Sequence, residues 1–161
     1  MKIDAARAQT VFLCLGTLLL AAALFLPSVE GYYYRQPSIL PGWLAMLLAL
    51  AAGAGALGDL FARAEGVHPL YLLPFLAALL NLNFIVTGIC LYRRRRRGAK
   101  GGLPRWLVAS TLCGLILAIV SPFALQGSET VRPGFYVWLL AHACLLGSVV
   151  SARAAHHLTD R

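Results

Sequence analysis

Charge is what this sequence has least of. Only 12% of its 161 residues are Asp, Glu, Lys or Arg, and only six of those are acidic. A soluble domain carries about 25% charged residues. Because 60% of the chain is hydrophobic, a water-soluble fold of this length could not hide its apolar surface. The deficit is in charge and not in complexity, which also excludes disorder. Motifs for chemistry are missing as well. There is no Ser/His/Asp set, no phosphate-binding glycine loop and no zincin helix. The four cysteines form no C-x-x-C pair and no metal-ligand spacing. No enzymatic reaction, cofactor or metal is therefore expected. No internal repeat stands out, and the length suits one domain over residues 1–161.

What the chain does have is long apolar runs. The pattern predicts an all-α polytopic membrane bundle with helices over about 9–28, 69–92, 106–125 and 134–152. At a rise of about 1.5 Å per residue, each approaches the ~30 Å hydrocarbon core. Lys2 and Arg7 precede the first run. Because the chain starts at Met1, this run is read as a retained anchor and not a cleaved leader. Val29 to Pro37, with Tyr32, Tyr33 and Tyr34, reads as an irregular interfacial loop. The run over 39–61 is ambiguous. It is weakly apolar, rich in Ala and Gly, and Asp59 interrupts its end. Pro69 suits a first helical position, and Pro74 would bend the first turns of the third run. The arginine run is then expected to end that helix abruptly.

The net charge is +8, and Arg93 to Arg97, Lys100 and Arg105 supply seven of the fourteen basic residues. In a membrane protein, such a cluster first marks a cytoplasmic loop. It also makes Arg93, Arg94, Arg95, Arg96, Arg97 and Lys100 candidates for contact with anionic lipid headgroups. No folded domain stands beside the run to present it to nucleic acid. If residues 39–61 do not cross, eleven basic residues lie inside and three outside (Arg35, Arg63 and Arg132); if they do cross, the split is ten to four. Four crossings plus a re-entrant or interfacial segment are favoured, with five crossings as the alternative. The arginine loop and the C-terminus are then cytoplasmic. Tyr92 and Trp106 would mark that boundary, and Tyr71, Phe135, Tyr136 and Trp138 the opposite one.

A few positions stand out against the apolar background. His142 lies near the middle of the last run, where an ionisable side chain is costly. It reads either as a proton relay or ligand, or as a neutral imidazole bonded to another helix. No second histidine at matching depth would complete a haem site. Asn81, Asn83 and Thr87 form, with His142, a candidate intramembrane polar site. The bland alternative is hydrogen bonding between helices. Ala51, Ala54, Gly55 and Gly58 repeat small residues at a spacing that lets helix backbones approach, a docking face or internal packing. Asp59 and Arg63 are four apart and could pair. Cys14, Cys90, Cys113 and Cys144 all fall within apolar runs and read as small hydrophobes, although Cys113 and Cys144 would share a depth.

At Pro41-Gly42-Trp43-Leu44-Ala45, and from Pro133-Gly134-Phe135 to Trp138-Leu139-Leu140, the chain resembles a loose group of small, uncharacterised bacterial inner-membrane proteins with four helices. Gly66-Val67-His68-Pro69-Leu70 stands where that group usually has a W-L-A-N-P-like stretch. The resemblance implies four crossings with an outer apolar segment in a bacterial inner membrane, and it implies no activity.

Three functional classes follow. The first is an accessory or interaction subunit, packing on another membrane protein or on copies of itself. The alternative is a homo-oligomeric channel or transporter with a path lined by Asn81, Asn83, Thr87 and His142. The third is a membrane enzyme or cofactor carrier using His142.

Overall fold

The computed structural model describes residues 2–33, 36–61, 72–97, 103–120 and 130–157. Most of them are helical. In chain order the elements are α1 (Lys2–Phe25), β1 (Pro27–Tyr33), β2 (Gln36–Pro41), α2 (Gly42–Phe61), α3 (Leu72–Arg96), α4 (Arg105–Val120), β3 (Thr130–Val131) and α5 (Pro133–His157). Among the described residues, two helices are long and apolar enough to cross a membrane, Ala5–Phe25 and Pro133–Ala155. Shorter apolar helices cover Gly42–Gly58 and Arg105–Val120.

Four helices run in alternating directions, and their contacts fix the register. Ser148 of α5 donates to the Gln9 carbonyl of α1 at 3.1 Å. Further along, a Cβ on Gly16 would lie 3.2 Å from Cys144 Cβ. α1 and α5 are therefore antiparallel. Leu91 of α3, Leu107 of α4 and Val149 of α5 share one buried cluster. At mid-length, Phe84 packs with Ala141 and Leu145, flanked by Leu13, Leu19 and Leu20 of α1. The N-terminal end of α1 and the C-terminal end of α3 thus lie together, joined where Arg95 donates to Thr10 Oγ1.

The core is mainly apolar, and so is much of the outside of the bundle. Thr87, Thr111, His142 and Ser148 are buried, whereas Val11, Leu18, Leu82, Ile85, Leu112, Ile116, Leu140 and Val150 face outward. A single exposed leucine means little in a soluble protein, but large apolar side chains exposed along all four helices mean more.

A three-stranded antiparallel sheet, in the order β2-β1-β3, closes the opposite end. This corrects the expected irregular loop over Val29 to Pro37. β1 and β2 pair from Pro27↔Pro41 to Tyr33↔Gln36. The prolines tolerate it because Pro27 opens its strand and Pro37 lies on an edge strand. Both helices that follow a flanking strand start against one spot. The Gly42 N–H donates to Leu26 O at 3.0 Å, and the Arg132 N–H to Ser28 O at 2.9 Å. A Cβ on Gly42 would overlap the Ala23 carbonyl, and one on Gly134 would sit 2.7 Å from Pro27 O and 2.8 Å from Leu26 O. The two Pro-Gly-aromatic motifs therefore share one cause: each glycine lets a helix start against the same piece of backbone.

Helix limits also moved. α3 continues through the arginines to Arg96, where the run was expected to end it. Arginine is a good helix former, and cations in a last turn suit the negative end of the helix dipole. α1 begins at Lys2 and not near residue 9, and α5 extends to His157. Pro74 lies in the first turn of α3, where a missing N–H costs nothing. Helix α2 touches α3 at two places, Met46 at Asn81 and Gly53 at Phe75. Between them α2 advances away from the arginine end. Arg63, Glu65, His68, Pro69, Tyr71 and Lys100 lie outside the described residues, as do the side chain of Asp59 and residues 121–129.

Candidate functional site

Two polar residues within the bundle, Asn81 and His142, meet at Trp138, and for His142 the reason is spacing. Trp138 and His142 are four apart on α5 and share a helix face. Their rings are 4.7 Å apart, and Phe84 of α3 meets His142 edge-on at 5.5 Å. Trp138 Nε1–H donates to Asn81 Oδ1 at 2.8 Å. The Asn81 amide in turn donates to the Met46 sulfur at 3.1 Å. This chain links α5, α3 and α2. Sulfur is a weak acceptor, so the Trp138–Asn81 bond is the stronger one.

His142 is buried, and a backbone carbonyl faces each ring nitrogen. Nδ1 lies 3.0 Å from Trp138 O and Nε2 3.4 Å from Leu80 O. A neutral imidazole has one N–H, so it satisfies one carbonyl at a time. The shorter contact favours the proton on Nδ1.

Asn81 and His142 are thus brought together through Trp138, but Asn83 and Thr87 are not part of that chain. Asn83, two residues from Asn81, turns toward α4, where its Nδ2 would lie 3.5 Å from a Cβ on Gly114. Asn83 Nδ2 and Thr87 Oγ1 are both buried without a hydrogen-bond partner among the described residues. Trp138, Met46 and Phe84 were not read as part of this group. Trp138 stands where a boundary aromatic is expected, yet its indole N–H points into the bundle, to Asn81. Its i, i+4 relation to His142 was the available sign.

The small-residue positions fall on the uncovered side of α2. Ala51, Ala54, Gly55 and Gly58 are exposed. A Cβ at Gly55 or Gly58 would meet nothing within 4 Å, while one at Gly53 would overlap the base of the Phe75 side chain. The chain packs α2 through Gly53, not through the predicted face.

The cysteines are all free, with Cys144 buried, Cys90 half-buried, and Cys14 and Cys113 exposed. Among the described residues, no three His, Cys, Asp or Glu side chains form a group that could hold a metal. Of the boundary aromatics, Tyr92, Trp106 and Tyr136 are exposed.

Among the described residues, the sheet end carries one ion pair. Arg132, just before α5, pairs with Glu30 of β1, and Thr130 Oγ1 lies 3.4 Å from the same carboxylate. The pair bridges β1 to the start of α5. Comparison with known proteins adds no relative: no protein-family model, no curated protein and no solved structure matches this chain.

Proposed function

We propose that this chain is an integral membrane protein that crosses the bilayer four times, through α1, α3, α4 and α5. Helix α2 stays on the outer side, and the protein serves as an accessory subunit docked on another membrane protein. The compartment is a bacterial-type inner membrane with the arginine end cytoplasmic, in line with the positive-inside rule. Supporting the placement, α5 runs from Pro133 to Ala152 without Asp, Glu, Lys or Arg, about 30 Å of helix. The apolar sheath over the four alternating helices has the same bearing. Helix α2 begins beside the end of α1 and moves away from the arginine end, so it has no route across.

The observation that carries the docking role is the open side of α2. Helix α2, whose one charged residue is Asp59 near its end, packs one side on α3 and leaves Ala51, Ala54, Gly55 and Gly58 exposed among the described residues. Small residues at this spacing let a second helix approach closely. Crosslinking from a photoreactive residue at Gly55 should give one stoichiometric adduct. Gly55→Trp should abolish it while leaving the chain folded and monodisperse. A monomer that gives no adduct from Gly55 ends this reading. The topology has its own check. With the native cysteines replaced by alanine, an impermeant maleimide should label Gly58→Cys on intact cells. It should reach Lys2→Cys and Arg96→Cys only after permeabilisation.

The channel reading keeps one observation, the unpartnered Asn83 and Thr87 atoms. Asn81 and His142, by contrast, spend their polar groups within the chain. Ion flux from a purified self-oligomer that fails with Asn83→Leu would favour this second reading over the first.

A further inference from the structure

The four arginines that end α3, and Arg97 just after them, are not equivalent. Leu80, Phe84, Thr87 and Leu91 form the buried side of α3. Arg94 continues that series at helical spacing. Its neighbours Arg93, Arg95, Arg96 and Arg97 are exposed, whereas Arg94 is half-buried. Its Nη2 is closed off from solvent and has no hydrogen-bond partner among the described residues. Arg95, one step around the helix, is tied to Thr10 of α1.

Arg94 therefore lies at the floor of the bundle. One turn before it, Leu91 packs against Leu107 and Val149, flanked by Leu103, Val108 and Ala152. By the register of these helices, Arg94 lies at the level of Arg105 on α4 and Arg153 on α5. Arg7 also belongs to this end. The only acidic side chain among the described residues, Glu30, is paired at the opposite end. By sequence, this end carries two acids, Asp4 and Asp160, against nine arginines. A guanidinium has five donors in a planar fork and cannot shed its charge. Nη2 itself lies out of reach of a ligand, so an outside acceptor has to meet the remaining N–H groups of the same fork.

We propose that this end holds the headgroup of one anionic phospholipid, its phosphate accepting from the Arg94 guanidinium. The inference rests on the membrane placement proposed above and is independent of the docking role of α2. At this depth, headgroup phosphates are the abundant acceptors. Arginine and phosphate match as a bidentate pair, and the excess of unpaired cations selects lipids of net negative charge. The exposed arginines contribute diffuse attraction, and Arg94 contributes the specific contact.

The test uses full-length protein extracted in mild neutral detergent, washed free of lipid, and titrated with phosphatidylglycerol, phosphatidylcholine or inorganic phosphate. Native mass spectrometry counts bound lipid, and thermal unfolding is followed in parallel. Wild type and Arg96→Gln should bind one phosphatidylglycerol and unfold at a higher temperature with it. Arg94→Gln should bind about tenfold more weakly and show no thermal shift. Phosphatidylcholine should not bind, and inorganic phosphate should not displace the lipid. Equal weakening by Arg94→Gln and Arg96→Gln would reduce the site to diffuse charge and overturn the proposal. So would equal binding of phosphatidylcholine, or displacement by inorganic phosphate, which would assign the site to a free anion. Should Arg94→Gln fail to purify, Arg94→Lys keeps the charge without the fork. It should bind several-fold more weakly, and unchanged binding overturns the proposal. A failure of the membrane placement itself would show earlier, as release of the chain without detergent.

Discussion

The two ends of this bundle solve the same problem differently. At the outer end, the chain closes on itself. The end of α1, the sheet and the starts of α2 and α5 meet within one cluster of backbone atoms, and Glu30 and Arg132 face each other across it. At the arginine end the described residues form nothing comparable. Helices α1, α3, α4 and α5 converge on leucine and valine, Ser148 bonds to the Gln9 carbonyl, and cations then emerge, of which Arg95 is tied to Thr10. The sheet end is therefore held by steric fit, and under the membrane placement proposed above the arginine end relies on its surroundings. A glycine clasp leaves no room for change, while a ring of arginines tolerates substitution but depends on what lies outside it.

The clasp should be the easiest part to break. Gly42→Ala places a methyl group into the Ala23 carbonyl, and Gly134→Ala crowds three oxygens. Backbone cannot retreat as a flexible side chain can, so each change should cost about 3 kcal/mol or more. Loss of monodispersity in size-exclusion chromatography, with Gly55→Ala unaffected, is the measurement. Intermediate effects should come from the polar chain below the clasp. Asn81→Leu strands the Trp138 indole N–H in apolar surroundings, at a cost of roughly 1–3 kcal/mol. Adding Trp138→Phe should recover part of that loss, and a double-mutant cycle in thermal unfolding would show the coupling. Independent, additive losses would mean that the bond contributes nothing. Glu30→Gln should cost less than about 1 kcal/mol, because both partners are partly exposed. The smallest effect belongs to the inner end. Arg96→Gln should leave the unfolding temperature unchanged, within about 0.5 kcal/mol. A larger loss there than at Glu30 would reverse the contrast between the ends.

Much of this arrangement was legible beforehand. The apolar runs located every long helix, because a helix needs consecutive residues and apolar length is additive along the chain. His142, Asn81, Asn83 and Thr87 were visible as polar residues where polar residues are expensive. Their grouping was not visible. Asn81 and Asn83 differ by two positions and so face different neighbours. The strands were hidden because β1 and β2 are short, proline-bearing and paired with partners that only the fold supplies. The same holds for the arginines, five identical letters of which one lies on the buried side.

By itself, the sequence determined where the helices run and which end carries the positive charge. Both follow from composition along a continuous stretch. Which groups meet was decided only by the tertiary structure. The scarcity of charge illustrates the division. Fourteen basic residues against six acids were countable from the start. That Glu30 would neutralise Arg132 while Arg94 found no partner among the described residues depended on how four helices set their faces. Pairing is a property of distance in space, and spacing along the chain limits that distance only within one helix.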